Sequence, residues 1–273
     1  MFDFTGKAVF VAGGSSGINL GIADAFAAAG ASLAIASRSA ERVEAASAQL
    51  RRHGGKVLGR SADVRDYAAI SAALAAAHAE FGEIDVLVSG AAGNFPALAL
   101  GMSANAFKTV VDIDLLGTFN VLRAGHQYLR KPGAAVINIS APQSWNPMPL
   151  QVHACAAKAG VDQVMRVLAM EWGGDGIRVN SIAPGPIEGT EGFKRLSTPE
   201  LRQKMASRVP LRRFGTLDDC ASLALFLASP LASWITGALI PVDGGWSLYG
   251  AGLSSTQLAL EAGAVPGRSS ESR

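Results

Sequence analysis

The chain has 273 residues, 49% hydrophobic and 17% charged, and a formal net charge of +2. That is enough for one large α/β domain or two small ones with a sizeable core, and the well-mixed charges exclude a global attraction for nucleic acid while leaving local anion sites open. Two cysteines far apart in sequence, Cys155 and Cys220, each in a small or apolar context that reads as core, support neither a disulfide framework nor a zinc site, and no metal is expected.

The opening "MFDFTGKAVFVAGG" runs almost directly into a strand. It has no basic segment, apolar block and cleavage site in series, so a cytoplasmic protein without a signal peptide is expected. Apolar strand-like runs then alternate with alanine-rich helical segments: "KAVFVAG", "SLAIAS", "KVLGRSADV", "DVLVSGAA", "AVINIS", "IRVNSIAP" and "GALIPVDGG". Repeated βαβ units of this kind predict a single-domain α/β fold of the Rossmann type, a doubly wound parallel sheet of about seven strands with helices on both faces.

Strand one ends in "VAGGSSGINLGIADAF", a glycine turn at a strand-to-helix junction. Backbone amides there approach a pyrophosphate at the helix N-terminus, so Gly13, Gly14, Ser15, Ser16, Gly17 and Ile18 are candidate nucleotide contacts. Strand two ends "IASRSAER" with no acid to hold a ribose 2′-hydroxyl. Ser37, Arg38 and Arg42 stand there instead, and an arginine pairs with a 2′-phosphate, which favours NADP(H) over NAD. Asp63 and Val64, ending strand three, are candidates for the adenine.

One run tests the reading as a protein with no membrane span. From Cys220 to Val242, "CASLALFLASPLASWITGALIPV" carries no charge and has the length of a bilayer span. Pro230 divides it, "LDD" before it is a helix-start signal, and "GALIPV" after it reads as a strand, so a buried helix, turn and strand are expected. The residues from 251 to 273, ending "PGRSSESR", are expected to form a small, polar, partly flexible tail.

The glycine turn, "SGAAGN" after strand four, the Lys158 helix, "IRVNSIAPGPI" and "PVDGGW" follow the order and spacing of the short-chain dehydrogenase/reductase family, which the chain resembles over nearly its whole length. The resemblance implies that Ala91, Ala92, Gly93, Lys158, Pro184, Gly185, Ile187 and Thr190 also contact the cofactor. It implies one domain over residues 1–250, with a substrate lid at about 188–215. A homotetramer is expected by family analogy. Ala12 and Asn19 replace the usual threonine and third glycine of the turn. The larger departures are catalytic. The family's proton-donating tyrosine, four residues before the lysine, is Ala154, its serine falls on Ala141 with Ser140 and Ser144 out of register, and its asparagine in helix four is Asp114.

Without a hydroxyl at position 154, ordinary ketone and alcohol interconversion loses its acid. Within the family, "AAGNF", "NAFKTVVDIDLLGTFNV", "LQVHACAAKAGVDQVMR" and "LASPLASWITGALIPVDGGW" resemble peroxisomal-type 2,4-dienoyl-CoA reductases, which lack the tyrosine and serine pair. That resemblance implies NADPH-dependent reduction of a 2,4-dienoyl-CoA to a 3-enoyl-CoA in unsaturated fatty acid β-oxidation, with hydride delivered to C5 and a water-borne proton to Cα. It assigns Lys158 to the nicotinamide ribose and Asp114 to the protonating water, with Asp162 as second candidate. An ionised carboxylate only accepts hydrogen bonds, so it orients a water rather than donating. For the acyl-CoA thioester it implies contacts from Arg65, Phe95, Ser103, Asn105 and Arg195. The stretch from Lys194 to Arg213 holds seven basic residues and one acid, a lid suited to CoA phosphates. Two competing readings stay open: a 2-enoyl-CoA or other ene-reductase, and a catalytically weak NADP-binding scaffold or sensor.

Overall fold

The computed structural model describes residues 2–190, 203 and 205–249. Seven parallel strands, β1 (Ala8–Ala12), β2 (Ser32–Ser37), β3 (Val57–Ser61), β4 (Val86–Ser89), β5 (Ala135–Ile139), β6 (Arg178–Pro184) and β7 (Leu239–Val242), form one sheet in the order β3-β2-β1-β4-β5-β6-β7. The helices that flank them are α1 (Gly17–Ala28), α2 (Ala40–Arg51), α3 (Tyr67–Phe81), α4 (Ala104–Val111), α5 (Gly117–Gly125), α6 (Val152–Trp172) and α7 (Leu217–Ala228).

The strands are apolar on both faces because both faces are covered. Alternate residues point to opposite sides. Val9, Ile35, Val88 and Ile137 pack on one side with Phe26 of α1 and Leu227 of α7. Phe10, Leu87, Val136 and Val179 pack on the other with Leu74 of α3, Val121 of α5 and Met165 of α6. Strand three is shorter than its sequence run "KVLGRSADV". Asp63 accepts from the Arg65 amide at 3.0 Å and turns the chain toward α3.

The long uncharged run resolves into α7, a 3₁₀ turn at Pro230–Ala232, and β7. Thr216 and Asp219 cap α7 reciprocally, Thr216 Oγ1 accepting from the Asp219 amide and Asp219 from the Thr216 amide. No described helix is long and apolar enough to cross a membrane. Both cysteines are free; Cys220 is buried, whereas Cys155 is only partly so, because it lies off the sheet-facing side of α6. Burial, with a smaller push from the Asp219 charge, drives the Cys220 thiol up to about 12.

The chain builds outward from β1 to β3, then returns to place β4 on the other side of β1. The reversal opens a crevice at the carboxyl ends of β1 and β4, where the loops after β1, β2, β4, β5 and β6 converge. The opposite, amino-terminal end of the central strands is tied by Asp85, which immediately precedes β4. Its carboxylate accepts from Arg130 Nε at 2.6 Å, the Ala8 amide at 2.9 Å and Lys7 Nζ at 3.1 Å. Burial works to raise its pKa, but the Arg130, Ala8 and Lys7 donors together hold it below the usual carboxylate range. A depressed folded-state value means stability that is present above the unfolded pKa of about 4 and lost as pH falls through the folded value. Asp85→Asn is therefore expected to cost about 2 kcal/mol in urea unfolding at pH 7, a penalty that shrinks as the pH is lowered below 5. A pH-independent penalty would mean that packing, not charge, holds this end of the sheet.

Candidate active site

The glycine turn lies at the mouth of the crevice. Gly13 has φ of 78°, and a Cβ there would sit 2.8 Å from the Ala91 amide nitrogen, so glycine lets the turn press against the loop after β4. Ser16, at the N-cap of α1, makes no capping bond, whereas Ser39, Asp66, Ser103 and Thr216 cap α2, α3, α4 and α7. The first turn of α1 also contains no acid. Its amides are left for an anion, and the helix dipole favours one there, so the turn fits a pyrophosphate.

Asn19 occupies the place expected for a third glycine without blocking it. Its Nδ2 donates to Gly90 O at 2.7 Å, and a Cβ on Gly90 would lie only 2.0 Å from Asn19 Oδ1. The missing side chain at position 90 makes room for the added one at position 19. The bond ties the turn to the end of β4.

A cleft of about 460 Å³ runs from this turn along the strand ends. Gly13, Ser15, Ser16, Gly17 and Ile18 bound its middle, with Gly14 held between them against Ile35 of β2. Ser37, Arg38, Arg42, Asp63 and Val64 bound one end. Neither the Arg38 nor the Arg42 guanidinium joins a salt bridge among the described residues. Ala91, Ala92, Lys158, Pro184, Gly185 and Thr190 bound the other end, with Ser140 and Ala141. Gly93 and Ile187 do not line the cleft. Gly93 instead donates its amide to Asp114, and Ile187 lines an adjoining pocket.

Asp114 lies not in a regular helix but in one π-helical turn, Asp112–Leu116, between α4 and α5. The Gly117 amide closes the turn onto Asp112 O, five residues back. Such a turn inserts one residue into the helical ladder, and here it sets Asp114 inward at 1% exposure. Oδ1 accepts from the Gly93 amide at 2.7 Å, and Oδ2 lies 3.3 Å from Lys158 Nζ. Lys158 is itself buried and donates to Ile139 O at the end of β5, at 2.9 Å. The buried ammonium therefore finds its partners in the Asp114 turn and a strand carbonyl; the Ala154 position supplies none. Asp162, one turn further along α6, is buried with no hydrogen-bond partner on either oxygen among the described residues.

The residues expected at the acyl-CoA are scattered by comparison. Arg65 is exposed and engages Asp63 through Nε and Nη2, the latter at 2.6 Å, and its bond is the main cause that holds the Asp63 carboxyl below its usual range. Ser103 caps α4 by accepting from the Ala106 amide, Asn105 is exposed on that helix, and neither lines the cleft or the pocket beside it. Phe95 stacks edge-on against His153, ring centroids 4.5 Å apart, and stays partly exposed. Arg195 lies outside the described residues, as do Lys194, Arg202 and Lys204 of the basic run. Within that run Arg213 is committed to Asp219 by bonds of 2.7 and 3.0 Å, and Arg212 to Ser207 O.

The structure adds a group that the motifs did not reveal. A largely apolar pocket of about 260 Å³ shares Pro184, Gly185 and Thr190 with the cleft and is lined further by Gln143, Met148, Gln151 and Trp246. Gln151 Oε1 accepts from Asn94 Nδ2 at 2.8 Å and from Gln143 Nε2 at 3.0 Å. Each donor amide keeps a second N–H. The only signal in the sequence was three amide side chains in the loops after β4 and β5, too common a pattern to single out.

A family model described as enoyl-(acyl carrier protein) reductase matches residues 12–247. The rat (Rattus norvegicus) protein named peroxisomal 2,4-dienoyl-CoA reductase [(3E)-enoyl-CoA-producing] is 48% identical over 242 residues, covering 88% of this chain and 83% of its own. A Bacillus subtilis protein carrying the name "Probable 2,4-dienoyl-CoA reductase [(2E)-enoyl-CoA-producing]" is 39% identical, covering 88% of this chain and 96% of its own. Among solved structures, a short chain dehydrogenase from Bacillus anthracis superposes with a TM-score of 0.80 at 37% identity, covering 88% of this chain and 96% of that one. With its single seven-stranded parallel sheet and its anion-ready turn at the switch between β1 and β4, the chain belongs to the short-chain dehydrogenase/reductase family of nicotinamide-dependent oxidoreductases.

Proposed function

We propose that this oxidoreductase is an NADPH-dependent 2,4-dienoyl-CoA reductase that yields a 3-enoyl-CoA. The observation that carries the reading is the buried pairing of Lys158 with Asp114 beside Ala154, a constellation that can orient cofactor and water but has no hydroxyl to protonate an alkoxide. The relatives' names supply the substrate class: the rat and Bacillus subtilis proteins are both named for 2,4-dienoyl-CoA.

In this reading the cleft residues from Gly13 to Ile18 hold the pyrophosphate, and Asp63 and Val64 border the adenine. Ser37, Arg38 and Arg42 take the 2′-phosphate. Pro184, Gly185 and Thr190 hold the carboxamide and phosphates, with Ile187 supporting the same loop from the adjoining pocket. When bound, the dihydronicotinamide supplies a hydride to C5 of the conjugated thioester. Negative charge then accumulates on the thioester oxygen, and we assign it to the spare N–H of Gln143 in the pocket beside the cleft and that of Asn94, both fixed by their shared acceptor on Gln151. Lys158 holds the nicotinamide ribose hydroxyls. Asp114, whose oxygens each keep a lone pair after binding Gly93 and Lys158, orients the water that protonates Cα. One O–H bond of that water breaks as the Cα–H bond forms. For the CoA thioester the reading keeps Arg65, Phe95, Ser103, Asn105 and Arg195 as contacts, Ser103 and Asn105 from the exposed start of α4 and not from the cleft, together with a lid from about 188 to 215. The exposed apolar residues Leu116, Phe119, Val167 and Met170 on the π turn, α5 and α6 fit subunit contacts in a homotetramer.

The family description as an enoyl reductase keeps a second reading, reduction of a 2-enoyl thioester. One assay separates them. NADPH consumption is followed with 2,4-hexadienoyl-CoA, crotonyl-CoA and acetoacetyl-CoA, and the double bond of the product is located. Turnover of the dienoyl substrate alone, giving the 3-enoyl product, is expected. Turnover of crotonyl-CoA shifts the reading to the enoyl reductase, and tight NADPH binding with no turnover shifts it to a scaffold. The product position also tests Asp114. The dienolate left by hydride addition carries charge at both C2 and C4, so protonation at C4 would give a 2-enoyl-CoA and place the water elsewhere.

A further inference from the structure

Behind Lys158 the sheet presents a group of polar side chains that the mechanism above does not use. Val136 packs on the α5 and α6 side of the sheet and Ile137 and Ile139 on the other, so alternation puts Asn138 on the α6 side. Ser181 of β6 is the register partner of Asn138 and shares a face with Val179, on that same side. Ser140 follows on the same side and borders the cofactor cleft. On α6, Lys158 reaches Ile139 O, and Met165 packs into the core with Val136 and Val179. Asp162 lies between those two levels, one turn from Lys158, on the same buried face.

All four side chains are buried to at least 97%, and none of their polar atoms finds a partner among the described residues: both oxygens of Asp162, both amide atoms of Asn138, and the hydroxyls of Ser181 and Ser140. Leaving so many adjacent groups unbonded is energetically prohibitive, since each orphan costs about 1–3 kcal/mol. Direct bonds are not made, yet the donor and acceptor balance is right: Asn138 Nδ2 and two hydroxyls donate, and a carboxylate and an amide oxygen accept. A polar space with two to four partners per molecule is what holds internal water in proteins.

We infer that Asp162, Asn138, Ser181 and Ser140 enclose a short column of bound water that opens on the cofactor cleft at Ser140, and that Asp162 is a positioning residue for Lys158. Lys158 has three N–H donors; Ile139 O takes one by a hydrogen bond, the ion pair with Asp114 at 3.3 Å draws on a second, and one is left for the cofactor ribose. That count holds only while α6 and the end of β5 keep their spacing at the level of Ile139. Water shared by Asp162 and Asn138 braces the two elements there. The inference rests on Lys158 facing the nicotinamide ribose, and not on the identity of the acyl substrate.

The test compares Asp162→Asn, which still bonds water, with Asp162→Leu, which does not. Ordered water is read from a crystal structure of the unliganded protein, and NADPH affinity from fluorescence titration, with NADH in parallel. We expect ordered water on Asp162 in the wild type and in Asp162→Asn, with an NADPH dissociation constant within about twofold of wild type for the latter. Asp162→Leu is expected to lose the water and weaken NADPH about tenfold, with any loss of kcat following the cofactor. Should the leucine variant fail to fold, Ser181→Val, which fills the column with a methyl group, carries the same expectation at about fivefold. Direct Asp162 to Asn138 bonding without water, or equal affinity in the asparagine and leucine variants, overturns the proposal. Neither readout uses an acyl-CoA, so a failed dienoyl assay leaves this result standing.

Discussion

Asp114→Asn should lower kcat for dienoyl-CoA reduction by about 100-fold while changing the apparent KM for NADPH by no more than about threefold. The substitution preserves shape. Asparagine Oδ1 can still accept from the Gly93 amide, so the loop after β4 stays pinned to the π turn. What disappears is the charge beside Lys158 and the strongest acceptor for the protonating water. Because Lys158 is then left buried with Ile139 O alone, a stability loss of about 3 kcal/mol is also expected, and urea unfolding must be measured alongside turnover. A drop in kcat with unchanged hydride transfer in single-turnover experiments would locate the defect in protonation. Near-full turnover in Asp114→Asn together with loss in Asp162→Asn would exchange the two assignments.

The contrast between these two aspartates shows what was legible beforehand. Strands buried on both faces read as continuous apolar runs, so "AVFVA", "VLVS" and "AVINI" announced the parallel sheet, and the glycines after the first announced its switch point. Lys158 and Asp114 were legible only through the register of a family pattern. Their meeting depends on a π turn, and no helical periodicity reports one extra residue per turn. Asp63 cut β3 short by local hydrogen bonding, an effect that competes with strand pairing and leaves no apolar signature. Arg65 and Ser103 enter as acyl-CoA contacts only through the family pattern, and nothing in their local sequence announces what else they bond. Their nearest obligations are an ion pair and a helix cap. The shared acceptor on Gln151 joins residues 57 and 8 positions away, a closure that only the folded loops could show.

Arg38→Ala is expected to raise the KM for NADPH about thirtyfold and to leave that for NADH within twofold. A charge-assisted bond from a guanidinium to a phosphate contributes about 2 kcal/mol, which corresponds to that factor. Arg38 is suited to it by commitment as much as by charge. Its carbonyl is held by Ser61 Oγ at 3.0 Å, which fixes the backbone at the end of β2, while its side chain borders the cleft and forms no salt bridge among the described residues. Arg42 stands in the first turn of α2 behind the Ser39 cap, so its longer reach makes Arg42→Ala the weaker change, about fivefold. Since both act on a phosphate at the protein surface, raising ionic strength from 0.05 to about 0.5 M should weaken NADPH binding and barely touch NADH. Tighter wild-type binding of NADH than of NADPH would overturn the assignment, for Ser37 alone, an uncharged residue at the end of β2, would then be selecting the ribose.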